Sequence, residues 1–287
     1  MNLITAKAHA KINLSLDVLG KREDGYHELR MIMQEVELHD IITVEIISKG
    51  IEICCNNPKI PTDEANTAYR AAKLLLDEYK IQKGVKISIE KRIPAAAGLG
   101  GGSSDAAAVL KSMNQLFNLG LGEVSLQDLS VKVGADVPFF VDGYTQLAEG
   151  IGEKLAKVAS MKPLDILLVN PGIEVSTAWV YRNLNLNAVT ERPDTELLIN
   201  AVMQNDIERL ARNMKNVLET VTEKKYGIIS EIKRQLKENG ALGSLMSGSG
   251  PTVFGIFRDA SLMENARSKF KSYGYETILT RTKVREM

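Results

Sequence analysis

Pro94-Ala95-Ala96-Ala97-Gly98-Leu99-Gly100-Gly101-Gly102-Ser103-Ser104 runs without a break into Asp105-Ala106-Ala107-Ala108-Val109-Leu110. A glycine-rich loop therefore feeds the first turn of a strong helix former. Glycines admit positive φ and leave room for a ligand to approach the main chain. The first turn of a helix carries unpaired N–H groups and the positive end of the dipole, and both attract anions. Ser103 and Ser104 add hydroxyls where a phosphate would sit. The stretch suits a polyphosphate; the alternative is a flexible linker ending in a helix cap. Two familiar phosphate loops do not describe it. The Walker pattern needs Lys-Ser or Lys-Thr after the last glycine, and no lysine lies between Pro94 and Asp105. The dinucleotide pattern starts directly after a strand. Here Pro94 and three alanines stand between Val85-Lys86-Ile87-Ser88-Ile89 and Gly98, and Ser103 takes the place of the third glycine.

Working outward, 287 residues allow one large or two ordinary domains, each with a sizeable core. Lys plus Arg and Asp plus Glu both number 36, so the balance gives no support for a nucleic-acid surface or a polyanion binder. A hydrophobic content of 44% fits a globular protein. Apolar runs such as Ile166 to Val169 are too short to span a bilayer, and Met1 to Lys7 lack the apolar core of a signal peptide. No membrane association and a cytoplasmic location are therefore expected. Cys54 and Cys55 are adjacent and are the only cysteines, which excludes a disulfide framework or a zinc site and suits strand thiols in a reducing compartment.

Periodicity outlines the elements. Ile12, Leu14, Leu16 and Val18 alternate with Lys11, Asn13, Ser15 and Asp17, which predicts a half-buried strand. Ile41 to Ile47, Ile51 to Ile53 and Val85 to Ile89 read as further strands. Helical spacing predicts helices near Asn66 to Tyr79, from the glycine loop to Phe117, and from Ser125, as cap, to Lys132. Beyond Pro163 a buried strand is expected at Asp165 to Val169, then helices near Thr195–Gln204, Asp206–Leu218 and Tyr226–Asn239. Strands at Leu242–Met246 and Thr252–Phe257 flank Ser247-Gly248-Ser249-Gly250-Pro251, and a helix (Leu262–Ser272) and a strand (Thr277–Val284) close the chain. The pattern is α+β in two domains meeting near residue 160.

Several polar residues stand out, each with a bland alternative. Lys11 and Asn13 share one strand face, where Lys11 is either functional or a solvated edge charge. Asp24-Gly25 signals a turn that presents Tyr26 and His27 side by side, as ligand contacts or as structural residues. In Gly134-Ala135-Asp136-Val137-Pro138, Gly134 suits a helix C-cap. Asp136 is a carboxylate among apolar neighbours, either a buried group needing partners or a cap for the next turn. Ser247-Gly248-Ser249-Gly250 is either a hairpin turn or a place where backbone approaches a ligand closely.

Together these segments resemble the GHMP kinase superfamily, which groups galactose, homoserine, mevalonate and phosphomevalonate kinases. Its three motifs match Ala8–Leu16, Pro94–Ala107 and Leu245–Phe254, in order. Ala10-Lys11-Ile12-Asn13-Leu14, Asp24-Gly25-Tyr26-His27, Gly134-Ala135-Asp136-Val137-Pro138 and Ala148-Glu149-Gly150-Ile151-Gly152-Glu153 are similar to the members that act on a cytidyl diphosphate methylerythritol. The resemblance implies an N-terminal domain (1–160) like the second domain of ribosomal protein S5 and a ferredoxin-like C-terminal domain (161–287). It implies ATP held with its phosphates on Pro94–Ser104, with Mg²⁺, and transfer of the γ-phosphoryl to the 2-hydroxyl of that small-molecule substrate. Lys11 and Asp136 would be the catalytic pair, and Asn13 would contact the substrate near the reacting hydroxyl. Tyr26 and His27 would hold the cytidine end. Tyr181, in Ser176-Thr177-Ala178-Trp179-Val180-Tyr181, would stack on cytosine, where the family often has phenylalanine. No residue is assigned as a metal ligand, no nucleic-acid or membrane partner is implied, and the chain would be a monomer or homodimer. The rival readings are another small-molecule kinase of the superfamily, a nucleotide-binding sensor without turnover, and an RNA binder by analogy with the S5-like fold.

Overall fold

The structure, a computed structural model, describes residues 2–159 and 161–285. Along the chain run β1 (Leu3–Lys21), β2 (His27–Ile47), β3 (Ile51–Cys55), α1 (Thr67–Glu78), β4 (Gly84–Glu90), α2 (Gly101–Leu116), α3 (Glu123–Val131) and α4 (Phe139–Asp142). Then come β5 (Thr145–Gly150), β6 (Lys154–Lys157), β7 (Asp165–Asn170), α5 (Thr177–Arg182), α6 (Thr195–Met203), α7 (Ile207–Asn213), α8 (Glu219–Lys225) and α9 (Ile228–Glu238). β8 (Gly243–Met246), β9 (Val253–Phe257), α10 (Ala260–Ser272) and β10 (Glu276–Arg281) complete it. None of the helices among the described residues is long and apolar enough to cross a membrane.

The chain divides into two compact units that are not contiguous in sequence. The first holds the stretch ending at Ala10, Leu38–Ala95 and Gly100–Gly143; the second holds Lys11–Glu37, Ala96–Leu99 and the described residues from Tyr144 onward. In the first unit β4 lies between β2, antiparallel with Ile41 opposite Glu90, and β3, parallel with Ile51 opposite Val85. Cys54 and Cys55 are free thiols in β3. Helices α1 and α2 pack together, and their buried alanines (Ala68, Ala71, Ala72; Ala106, Ala107, Ala108) permit a close approach. Asn66 caps α1 by accepting from the Ala68 amide at 2.8 Å, as the predicted start requires.

In the second unit Leu29–Gln34 of β2 pair antiparallel with β5, and β5 with β6. A separate antiparallel sheet has the order β10-β7-β9-β8. Counting only its own strands, that order is fourth, first, third, second, the ferredoxin-like order. Helices α9 and α10 pack on this sheet through Ile229, Ile232 and Leu236 and through Met263, Ala266 and Phe270.

Some expectations change. The first strand is not half-buried: Lys11, Asn13, Ser15 and Asp17 are all 5% exposed or less, like the apolar residues between them. Burial of that polar face is possible because each group has partners. Ser15 Oγ accepts from the Ile32 amide, and Asp17 accepts from the Val18 amide and from Arg192. The solvated-edge reading of Lys11 is therefore excluded. Gly122, not Ser125, stands at the N-cap of α3, and Gly134 lies two residues beyond its C-cap, Lys132. The helix expected over Asp206–Leu218 stops at Asn213, because Lys215–Val217 turn aside to bridge β1.

Candidate active site

Site residues fall in both units, and the glycine loop itself is divided: Ala96–Leu99 belong to the second unit, Pro94–Ala95 and Gly100–Ser104 to the first. Its backbone takes positive φ at alternate residues, 50° at Ala96, 76° at Gly98 and 70° at Gly100. Such alternation turns successive amide N–H groups toward one side and forms an anion-binding concavity.

In the second unit, Gly98 meets the turn between β8 and β9. A Cβ at Gly98 would stand 2.2 Å from the Ser247 carbonyl oxygen and 3.1 Å from that of Gly250, so only glycine fits. The Ser247 hydroxyl donates to the Gly98 carbonyl at 2.9 Å. Ser247–Gly250 is thus a hairpin turn whose small residues allow backbone to pack on the loop. From β1, the Lys11 amide donates to the Leu99 carbonyl at 3.0 Å. The Lys11 ammonium donates to Asn13 Oδ1 at 2.6 Å, the i, i+2 spacing having placed both on one face. The same oxygen accepts from the Gly248 amide at 3.0 Å, and Asn13 Nδ2 donates to Met31 Sδ at 3.4 Å. Asn13 is fully buried and uses both ends of its amide within the protein.

The Asp24-Gly25 turn forms as expected, with φ 86° at Gly25 and Asp24 Oδ1 accepting from the Tyr26 amide. Tyr26 is exposed, whereas His27 pairs with Tyr181 of α5, ring centroids 5.1 Å apart and planes tilted by 34°. Burial, then the charge of Lys21, hold His27 below its usual imidazole range. Helix α5 is itself tied to the hairpin, since Thr177 Oγ1 and Ser249 Oγ are 2.8 Å apart.

In the first unit, Gly100 stands at the N-cap of α2 in the left-handed region and no side chain caps the helix. Thr67 Oγ1 donates to the Gly102 carbonyl at 2.6 Å. Beneath the helix start lies a cluster that sequence patterns did not reveal. Lys91 Nζ is 2.5 Å from Asp40 Oδ2 and 2.8 Å from Asp105 Oδ2, with all three side chains at most 4% exposed. Asp40 Oδ1 accepts from the Arg92 and Ile93 amides, while Asp105 Oδ1 has no hydrogen-bond partner. A Cβ at Gly101 would lie 2.9 Å from Lys91 Nζ, so the ammonium abuts the loop. Burial pushes the Asp105 carboxyl up to about 7; Lys91 opposes that rise and Asp40 adds to it. Asp136 occupies the turn between α3 and α4 and is half-buried beside buried Val137 and Phe139. It is not a cap, because Pro138 holds the N-cap of α4 and no side chain bonds there.

Comparison with known proteins bears on this geometry. The family models for the GHMP kinases N terminal domain and the GHMP kinases C terminal match residues 66–144 and 198–276. A 4-diphosphocytidyl-2-C-methyl-D-erythritol kinase of Acetivibrio thermocellus is 56% identical over 98% of this chain and 100% of its own length. The chain belongs to the GHMP kinase family. A Clostridium botulinum protein of the same name is 51% identical over 96% of this chain and 99% of its own. A crystal structure of 4-(cytidine 5'-diphospho)-2C-methyl-D-erythritol kinase superposes with a TM-score of 0.84 at 33% identity, covering 97% of this chain and 99% of that one. As a GHMP kinase the protein is a phosphotransferase with the family's two-domain α+β fold. The N-terminal family model takes in the glycine loop and Asp136, and the C-terminal one the Ser247–Gly250 hairpin. Lys11, Asn13, Tyr26, His27 and Tyr181 lie outside both.

Proposed function

We propose that this GHMP kinase transfers the γ-phosphoryl of ATP to the 2-hydroxyl of 4-diphosphocytidyl-2-C-methyl-D-erythritol, giving the 2-phosphate and ADP, in the non-mevalonate route to isoprenoids. The observation that carries phosphoryl transfer is the loop with alternating positive φ opening on the uncapped first turn of α2. The acceptor is supported by the full-length relatives and by the His27–Tyr181 ring pair, a platform of the kind that stacks on a base. Pro94–Ser104 hold the phosphates in this reading, and residues 1–160 form the ATP-binding part.

Phosphoryl transfer requires alignment and charge stabilisation more than covalent help from the protein. Lys11 places its side-chain nitrogen by the loop, and its bond to the buried Asn13 fixes that group. In this reading Asn13 contacts the substrate near the reacting hydroxyl, and its Oδ1 also sets Lys11. Asp136 orients the acceptor hydroxyl and takes its proton. Tyr26 and His27 hold the cytidine end and Tyr181 stacks on the ring. Mg²⁺, when bound, neutralises charge on the β and γ oxygens. The Asp105 carboxyl is raised by burial and engaged by Lys91, so it suits a hard cation poorly; the Ser103 hydroxyl, half-buried in the first turn of α2, would be the protein group that holds Mg²⁺ beside the phosphates.

ADP release measured with a panel of acceptor alcohols tests the proposal. Turnover is expected with the cytidyl substrate and not with homoserine or mevalonate. Turnover with either of those two alone, or none at all, would overturn the assignment.

A further inference from the structure

The hydrogen bonds that converge on Lys11 do not end at Asn13. The Gly248 amide donates to Asn13 Oδ1 at 3.0 Å, and the Gly248 carbonyl accepts from Asn216 Nδ2 at 2.7 Å. The same Asn216 nitrogen donates to the Met246 carbonyl at 2.9 Å, so its two hydrogens clasp the hairpin on both sides of Ser247. Asn216 Oδ1 accepts from the Leu218 amide at 3.0 Å. Two carbonyls can only accept and an amide N–H can only donate, so the partners themselves dictate which end of the side chain is nitrogen. Asn216 is 4% exposed and every contact is internal.

Its backbone is tied to the strand that bears Lys11. The Leu16 amide donates to the Lys215 carbonyl at 3.0 Å, and the Val217 amide donates to the Leu16 carbonyl at 2.9 Å. Asn216 is thus pinned to β1 on one side and grips the hairpin on the other. We infer that Asn216 is a positioning residue for the Lys11 ammonium, acting through the Gly248 peptide and the Asn13 side chain. A hairpin free to shift would carry the Gly248 N–H away from Asn13 Oδ1 and leave the Lys11–Asn13 pair without its third member. Misplacing a charge-stabilising group by a fraction of an ångström lowers turnover without removing any substrate contact. The inference rests on the role proposed for Lys11.

Asn216→Asp tests it, because the carboxylate keeps the bond from Leu218 but turns acceptors toward two carbonyls. The expected result is a fall in kcat on the order of 10- to 100-fold, with the KM of ATP and of the acceptor changed by less than about threefold. In a Lys11→Met background the same change is expected to add less than about threefold, since its target is gone. A second readout needs no substrate: hydrogen exchange at the Gly248 amide is expected to accelerate about tenfold or more. If Asn216→Asp does not fold, Asn216→Ser, which keeps a hydroxyl acceptor for Leu218, gives the same readouts. Unchanged kcat per folded molecule, full additivity with Lys11→Met, or unchanged exchange at Gly248 would overturn the inference. An inactive wild type would sink the proposed substrate, and the exchange measurement would still decide the role of Asn216.

Discussion

Gly98 and Gly172 both take φ 76°, yet their surroundings differ completely. At Gly172 an added Cβ meets nothing within 4 Å, so Gly172→Ala adds only the left-handed penalty, about 1 kcal/mol. At Gly98 the Cβ would run into backbone oxygens, and the loop must move. Gly98→Ala is therefore expected to lose ATP binding, while Gly172→Ala keeps it with a modest drop in Tm; calorimetric titration with ATP separates the two. Asp136→Asn addresses chemistry instead of binding. A group that takes a proton in the transition state contributes roughly 10²- to 10⁴-fold in rate, so kcat is expected to drop by that much with ATP affinity kept. Near wild-type turnover would remove Asp136 from its role. At this scale the sequence singled out Lys11, Asn13, Tyr26, His27 and Asp136, and the family resemblance added Tyr181. It did not show that Lys11 is buried, because alternation reports a strand and not what covers each of its faces.

Helix α2 begins without a side-chain cap, and its start is steadied instead by the buried Lys91 cluster. Removing one member of a buried ion group leaves charge without compensation. Lys91→Met is expected to destabilise the protein by about 3–5 kcal/mol in denaturant unfolding, whereas exposed pairs such as Lys73–Asp77 contribute well below that. The raised Asp105 carboxyl has a definite sign. The folded state holds this proton up to about pH 7 while the unfolded chain releases it near the ordinary 3.8, so stability declines as pH rises between the two. Asp105→Asn, which cannot ionise, is expected to flatten that part of the stability–pH curve. An unchanged slope would assign the dependence to another group. Lys91 and Asp40 escaped the sequence reading because they come from β4's end and β2 and have no periodic or motif signature. The short helices α5 and α8 escaped too, since one or two turns offer too few residues for a helical period.

Across the molecule, ligand binding to the folded state alone raises apparent stability, by about 2.7 kcal/mol at a hundred times the dissociation constant. Mg²⁺ and ATP together are expected to raise the Tm of the wild type and of Asp136→Asn by similar amounts, and to leave Gly98→Ala unmoved. An Asp136→Asn protein that ignored ATP would contradict a purely chemical role for that carboxylate. The sequence alone determined the α+β pattern, the phosphate-suited loop and the residues with chemical potential, because backbone preferences of glycine, helix starts and strand alternation act over a few residues. Only the tertiary structure decided that Gly98 closes on Ser247 across 149 positions, that Gly248 reaches Asn13 across 235, and that Lys91 lies buried under Gly101. Those contacts depend on packing and on satisfying buried polar groups, which involve pairs that no local window contains.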